Sequence, residues 1–287
     1  MEIKSVGIGG NNLVFDVKTI QRQLNRCLVA IQKIPVLLKV DGICGPSTIK
    51  AIRAVQAAIS ATPTGLVEPG SRVSELLGTI YNKDGFISHS LLPDPVTQVL
   101  LLSEGDFLDA AQRLGCLTAH IKAVVAVEST GSGFFKSKRP KILFEAHKFS
   151  EFTQHKYDLT YSSISSRHWN KKLYYGNDGE YDRLYTALCL DSNAALRATS
   201  WGLFQIMGFN FAGCNFNSVE EMVTAMYVSE GDQLNAFVAY IKSVGLDNIL
   251  RTNQWAIFAA RYNGPAYREN NYDVRLQEAY ALHKTTV

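Results

Sequence analysis

No stretch of this 287-residue sequence stays apolar for the ~20 residues that a bilayer-spanning helix needs. The N-terminus, MEIKSVGIGGNNLVFDVK, lacks the charged start and apolar run of a secretory signal peptide. The two absences imply a protein made in, and at first held in, a cytoplasm, with no stable membrane insertion. Cysteine is sparse: Cys27, Cys44, Cys116, Cys189 and Cys214 are an odd five, far apart, with no Cys-x-x-Cys. That argues against a disulfide scaffold or a zinc finger and fits thiols packed as small hydrophobes in a reducing compartment. Proline (8) and glycine (21) are too few for a collagen-like or low-complexity chain. No His-Glu-x-x-His, no Gly-x-Ser-x-Gly and no convincing Cys-His pair occurs, which disfavours a zinc peptidase or amidase and a Ser or Cys hydrolase. Neither a nucleic-acid motif nor a basic stripe is found. The expectation is no metal, no cofactor and no nucleic-acid partner.

What is present is a core-forming composition. Hydrophobic residues are 46% and charged residues 19%, so the chain is not disordered by composition. The length suggests two domains. The net charge of +3 is uneven. Residues 1–90 carry ten Lys and Arg against six Asp and Glu, and residues 91–287 carry nineteen against twenty. A basic first part points to an anionic partner, although four charges over ninety residues also suit a solvated surface.

In the first part, Val17, Ile20, Leu24 and Leu28 are spaced as one helix face. Val40-Asp41-Gly42 is a turn, and Gly45-Pro46-Ser47-Thr48 opens a second helix carrying Ile49, Ile52, Val55, Gln56 and Ile59. Thr64-Gly65-Leu66-Val67-Glu68-Pro69-Gly70 turns again before a last helix with Val73, Leu76 and Leu77. This resembles the peptidoglycan-binding-domain type 1 family over residues 13–80. The carrying residues are Gln23-Leu24, Val40-Asp41-Gly42, Gly45-Pro46, Thr48 and Val55-Gln56. The resemblance implies a small three-helix wall-binding bundle at 1–80, against the plainer reading of a generic bundle with two turns. Pro63, Pro69, Gly70, Gly78, Gly85 and Pro93-Asp94-Pro95 then mark a linker, placed at 81–103, with its end made semi-rigid by the prolines.

From 104 to 287 the pattern is mostly helical. Ile121, Val124, Val125 and Glu128 share one stripe of a helix that Thr118 can cap and that runs to about Ser129. Glu128 therefore extends an apolar face at the negative end of a helix dipole. Both effects disfavour the carboxylate and raise its pKa, as a general acid requires. The alternative is a partly buried Glu bonded to turn amides. In Ser200-Trp201-Gly202-Leu203-Phe204-Gln205-Ile206-Met207-Gly208, the polar Gln205 needs a partner, which a ligand hydroxyl or acetamido group could be. Trp255, Phe258 and Tyr262 form a helix face that Gly264-Pro265 stops, leaving Tyr262 and Asn263 at its end. Tyr157, Tyr161, Trp169, Tyr174, Tyr175, Tyr181 and Tyr185 crowd the middle, most of them read as packing, with a cleft wall as the alternative.

The order Glu-Ser, Gly-Leu-Phe-Gln-Ile, Tyr-Asn-Gly resembles the lysozyme-like superfamily, in particular goose-type lysozymes and soluble lytic transglycosylases. Closer still is the N-acetylmuramidase family of phage endolysins. It is carried by Val127-Glu128-Ser129-x-Gly131-x-Gly133-Phe134, Ile142-Leu143-Phe144-Glu145-Ala146-His147, Ser200–Gly208 and Arg261-Tyr262-Asn263-Gly264-Pro265-x-Tyr267. The resemblance implies a mainly α protein: the three-helix bundle followed by a larger lysozyme-like, α-rich (α+β) catalytic domain with a minor β element. It implies hydrolysis of the bond between N-acetylmuramic acid and N-acetylglucosamine in peptidoglycan, with Glu128 as general acid. Glu145 would activate water or stabilise an oxocarbenium-like transition state. Its alternative is an ion pair with Lys141, Arg139 or Lys148, and His147 beside it reads as structural. Ser200, Gln205, Tyr262 and Asn263 would hold or orient substrate. The expected setting is a monomer that accumulates in the host cytoplasm and acts on the wall in the periplasm. The rivals are a lytic transglycosylase, which makes anhydro-muramic ends, and a non-catalytic wall-binding or virion protein.

Overall fold

The computed structural model describes residues 3–30, 38–78, 92–128 and 131–284. The protein is mainly helical, with short strands, and divides into two compact units. One unit is Met1–Leu92 with Phe144–Ala198; the other is Pro93–Leu143 with Thr199–Val287. Residues 79–91, which take in the first part of the linker expected at 81–103, lie outside the described residues, as do 31–37 and Ser129-Thr130.

In the first unit, β1 (Val6–Gly7) pairs antiparallel with β2 (Leu66–Val67). A Cβ at Gly7 would lie 2.1 Å from the Gly65 carbonyl oxygen, so only glycine permits this close pairing. The expected helices follow: α1 (Val14–Ala30), α2 (Pro46–Ala58) and α3 (72–78). Val17, Ile20, Leu24 and Leu28 are all buried, with Ile52, Val55, Val67, Val73 and Leu77 around them.

Two buried glutamines clip the two turns in the same way. Gln21 on α1 accepts the Gly42 N–H (3.0 Å) and donates to the Asp41 carboxylate, the Ile43 carbonyl and the Thr48 hydroxyl. Gln56 on α2 accepts the Gly65 N–H (2.9 Å) and donates to the Thr64 hydroxyl and the Leu66 carbonyl. Each glycine sits at positive φ, and each glutamine satisfies backbone groups that the turn leaves over. Gln23, one of the residues carrying the resemblance, is also buried, but the clamp on the Asp41-Gly42 turn is Gln21.

The same unit holds α4 (Ala146–Phe152), α5 (Glu180–Leu188) and α6 (Ser192–Arg197). Arg22 of α1 forks onto Asp182 of α5, at 2.7 and 3.2 Å. Glu180 and Arg183 form a fully buried ion pair at 2.7 Å.

In the second unit, Ser103 and Asp106 form a capping box that opens α7 (Glu104–Leu114), and Gly115 in the left-handed region closes it. Next in this unit is α8 (Thr118–Glu128); Thr118 is its first residue rather than its cap. The sheet has the order β3 (Ile142–Phe144), β4 (Thr199–Trp201), β5 (Ile206–Met207). The helices α9 (Val219–Met226), α10 (Glu230–Ser243), α11 (Asp247–Arg251), α12 (Trp255–Tyr262) and α13 (Tyr272–Lys284) complete it. Its core is built from Ile121, Val124, Trp201, Phe204, Met222, Phe237, Phe258 and Leu276. Helix α8 packs mainly on α13, and His120, buried on it, bonds Asn253 through Nε2 and packs on the Tyr280 ring.

Among the described residues no helix is long and apolar enough to cross a membrane, and no group of three or more His, Cys, Asp or Glu could hold a metal ion.

Candidate active site

Glu128 is the last residue of α8. The apolar stripe that predicts this helix also seats its last side chain against the core. Helix α12 ends one residue before Asn263, whose N–H still bonds the Ala259 carbonyl. Gly264 then takes φ +83 and turns the chain away. This placement aims the Asn263 amide at Glu128: Nδ2 donates to both carboxylate oxygens, at 2.9 and 3.0 Å. Arg275 on α13 donates to the Val127 carbonyl at 3.2 Å and so fixes the same helix end. Burial pushes the Glu128 carboxyl above its usual range, against the opposing pull of the Asn263 amide and the Arg275 guanidinium. The group is thus kept acidic enough to ionise yet protonated at higher pH than a free Glu, the state of a proton donor.

Tyr262 does not bond Glu128. Its hydroxyl donates to the Phe204 carbonyl at 3.0 Å, and its ring stacks on Phe258 and meets Phe237 edge-on. Burial raises its pKa well above the usual tyrosine value. Tyr262 therefore acts as a neutral pin for the turn carrying Gln205. Gln205 is exposed and sits at φ +48. Its Nε2 donates to the Gly202 carbonyl (2.7 Å) and the Lys141 carbonyl (3.2 Å), and its Oε1 accepts from the Ser200 hydroxyl (3.0 Å). The partner that the sequence required for this amide is the turn itself. Ser200 and Gln205 are brought together, as are Glu128 and Asn263, with Tyr262 joining the Phe204 turn to the Asn263 end of α12.

Two residues that brace this region escaped the sequence reading. Glu230, 4% exposed at the start of α10, accepts from the Gly133 N–H (2.7 Å), the Ser132 hydroxyl (2.8 Å) and the Leu102 N–H (3.2 Å). One turn on, Gln233 accepts the Leu203 N–H (2.7 Å) and donates to the Met226 carbonyl (2.8 Å). A Cβ at Gly133 would fall 2.0 Å from the Gln233 Oε1. One turn of α10 therefore holds both the segment after Glu128 and the turn before Gln205. The available signal was the pair of polar residues on an otherwise buried helix face.

Glu145 lies in the first unit, between β3 and α4. Its Oε2 accepts from the Tyr174 hydroxyl at 2.7 Å and meets His147 Nδ1 at 3.2 Å. Of the expected alternative partners, Lys148 pairs with Glu151 at 2.9 Å. Behind it, the buried Arg183 donates to the Phe144 carbonyl (2.7 Å), and Glu180 accepts the Tyr175 and Gly176 N–H groups (2.7 and 2.9 Å).

A half-buried, amide-held carboxyl at a helix end, in a mainly helical protein with a small sheet, fits a lysozyme-like α-rich fold. The N-acetylmuramidase family model matches residues 117–284, more than half of the chain. The chain belongs to the N-acetylmuramidase family and is a peptidoglycan-degrading enzyme. Among solved structures, a Burkholderia AP3 phage endolysin is 33% identical, with a TM-score of 0.62, over 94% of this chain and 95% of that one. No curated protein matches the sequence.

Proposed function

We propose that this chain is an endolysin that hydrolyses the glycosidic bond between N-acetylmuramic acid and N-acetylglucosamine, with Glu128 as general acid. The observation that carries the reading is the Glu128 carboxyl, half-buried at the end of α8 and held through both oxygens by Asn263. A protonated Glu128 gives its proton to the leaving glycosidic oxygen as the C–O bond breaks. The Asn263 bonds then hold the carboxylate that forms. Glu145 is proposed as the second carboxylate, activating the water or stabilising the oxocarbenium-like centre. Tyr174 and His147 would fix its rotamer for that task. Ser200, Gln205 and Tyr262 act by shaping the Phe204 turn, whose exposed edge would face the sugar. Residues 13–80 are proposed to bind the wall and to raise the local substrate concentration for residues 104–287. The enzyme would accumulate in a host cytoplasm and reach the wall from the periplasm.

Digestion of purified peptidoglycan followed by mass spectrometry tests the reaction. Reducing N-acetylmuramic acid ends are expected. Anhydro-muramic ends would replace the hydrolase with a transglycosylase, and equal lysis of permeabilised cells by Glu128→Gln would remove the catalytic assignment.

A further inference from the structure

The chain has three tryptophans, and only one is open to solvent. Trp201 is 1% exposed and Trp255 6%, whereas Trp169 is 60% exposed. An indole left in water forgoes the burial its area could bring, unless something else covers it. Trp169 is also held still. Its Nε1–H donates to the Tyr174 hydroxyl at 2.7 Å, and that hydroxyl in turn donates to Glu145 Oε2 at 2.7 Å. The chain between the two rings is a tight turn, with Asn170 accepting the Lys172 N–H at 3.0 Å and the Leu173 N–H bonding the Asn170 carbonyl at 3.1 Å. Tyr174 is itself braced, its ring lying 5.6 Å from the buried Arg183 guanidinium. The rings meet edge to face, centroids 6.4 Å apart and planes at 68°.

Taken together, these contacts use the one polar atom of the indole for orientation and leave its apolar faces for something else. A π face is electron-rich and takes polarised C–H groups. A pyranose ring presents such a C–H face, with its hydroxyl and acetamido groups around the rim. We propose that Trp169 is a pre-oriented stacking platform for a hexosamine ring of the glycan strand, tied through Tyr174 to the carboxylate of Glu145. The proposal rests on the glycan-cleaving reading and deepens it by naming a sugar-binding residue. It also singles out one aromatic from the crowded middle segment: Tyr161 and Tyr181, by contrast, are buried and serve packing. A rigid ring loses little conformational entropy on binding, so the platform favours affinity rather than the chemical step.

The test uses the full chain carrying Glu128→Gln, titrated with a soluble β-1,4-linked N-acetylglucosamine hexamer and followed by tryptophan emission and by calorimetry. With the other two tryptophans buried, a blue shift and quench on binding report Trp169. Trp169→Ala is expected to remove the optical change and weaken binding roughly tenfold, while Trp169→Tyr keeps affinity within about threefold. In the otherwise native enzyme, Trp169→Ala is expected to raise KM by a similar factor with kcat nearly unchanged. Unchanged calorimetric affinity in Trp169→Ala overturns the platform, and so does a parent that binds no hexamer. Equal damage by Ala and Tyr, falling on kcat, also overturns it, because the indole would then serve only to orient Tyr174 and Glu145. Failure of the glycan-cleaving reading shows differently: the native enzyme would leave purified peptidoglycan uncut while Trp169-dependent hexamer binding persists.

Discussion

Asn263 gives one amide nitrogen to both carboxylate oxygens of Glu128, at 2.9 and 3.0 Å, while its own Oδ1 is buried with no hydrogen-bond partner among the described residues. An orphaned buried acceptor costs about 1–3 kcal/mol. The residue therefore gives up stability in order to hold Glu128 from the ionised side. Asn263→Ala removes the bonds that favour the carboxylate, so the Glu128 pKa climbs further. The alkaline limb of the pH–rate profile is expected to move to higher pH, with kcat lower on the order of 10–100-fold through lost positioning. A limb that stays put, or moves to lower pH, contradicts this account.

The raised Glu128 pKa also has a stability consequence. The folded chain holds this proton more tightly than the unfolded chain, where the carboxyl titrates near its ordinary 4.5. The stabilisation so gained is complete below the unfolded value and is lost as pH rises through the folded one. Glu128→Gln stays neutral throughout. Its Tm should therefore gain on that of the native chain between about pH 4 and about pH 7, by a few degrees. The same variant should lose roughly 10²–10⁴ in kcat. Thermal scans at the two pH values check the first effect; a constant gap would show that Glu128 titrates normally.

Glu230 is expected to matter without touching substrate. It satisfies the buried Gly133 amide and the partly buried Leu102 amide. Glu230→Ala leaves the buried Gly133 donor unpaired, so urea unfolding should show a loss of about 1–3 kcal/mol. Activity should fall through kcat at temperatures where the variant is still folded, because the segment after Glu128 loses its anchor. Native kcat in a folded Glu230→Ala variant would leave the residue a purely structural role.

The reach of the sequence can be judged from these same residues. Glu128 was legible because Ile121, Val124 and Glu128 share a helical stripe, and a stripe that ends in a carboxyl is visible without a structure. Asn263 was legible because Gly264-Pro265 fixes where α12 must stop. Glu230 and Gln233 were not. Ser229 caps α10 and accepts the Asp232 N–H, so the acidic first turn reads as ordinary capping. Their working partners are backbone amides 97 and 30 residues away, and a backbone amide leaves no mark on sequence. The amide of Gln205 reads as needing a partner, which a ligand could supply, because the apolar letters around it suggest burial. The turn between β4 and β5, in which Gln205 takes φ +48, instead puts it outside. Strand β1 was missed for a related reason: two residues give no periodicity.

Wall binding by residues 13–80 can be probed on the surface. Val14 and Ile43 are both exposed, and a Cβ at Gly42 would touch the Val14 side chain, which sets Val14 beside the clipped Asp41-Gly42 turn. Val14→Asp with Ile43→Asp should leave the fold intact and weaken co-sedimentation with insoluble peptidoglycan by about tenfold. Cleavage of short soluble fragments should not change. If sedimentation is unaffected, this face of the bundle is not where the wall binds.

The buried pair of Glu180 and Arg183 gives the sharpest test of how Glu145 is supported. Arg183 donates through Nη1 to both Glu180 Oε2 and the Phe144 carbonyl, each at 2.7 Å, and its Nε has no hydrogen-bond partner among the described residues. Its guanidinium also lies over the Phe144 ring at 5.0 Å. The pair thus fixes the residue immediately before Glu145 and, through Glu180, the backbone of Tyr175 beside Tyr174. Breaking one half leaves an uncompensated buried charge, so Glu180→Leu should cost about 3–5 kcal/mol in denaturant unfolding. Replacing both halves, Glu180→Leu with Arg183→Met, removes the stranded charge and should cost much less than the two single losses added together. Stability and activity should then separate. The double variant regains much of its stability but lacks the donor to the Phe144 carbonyl, so Glu145 is less well aimed and kcat stays low. A double variant that recovers both would mean that the ion pair serves folding alone and that Tyr174 and His147 suffice to position Glu145.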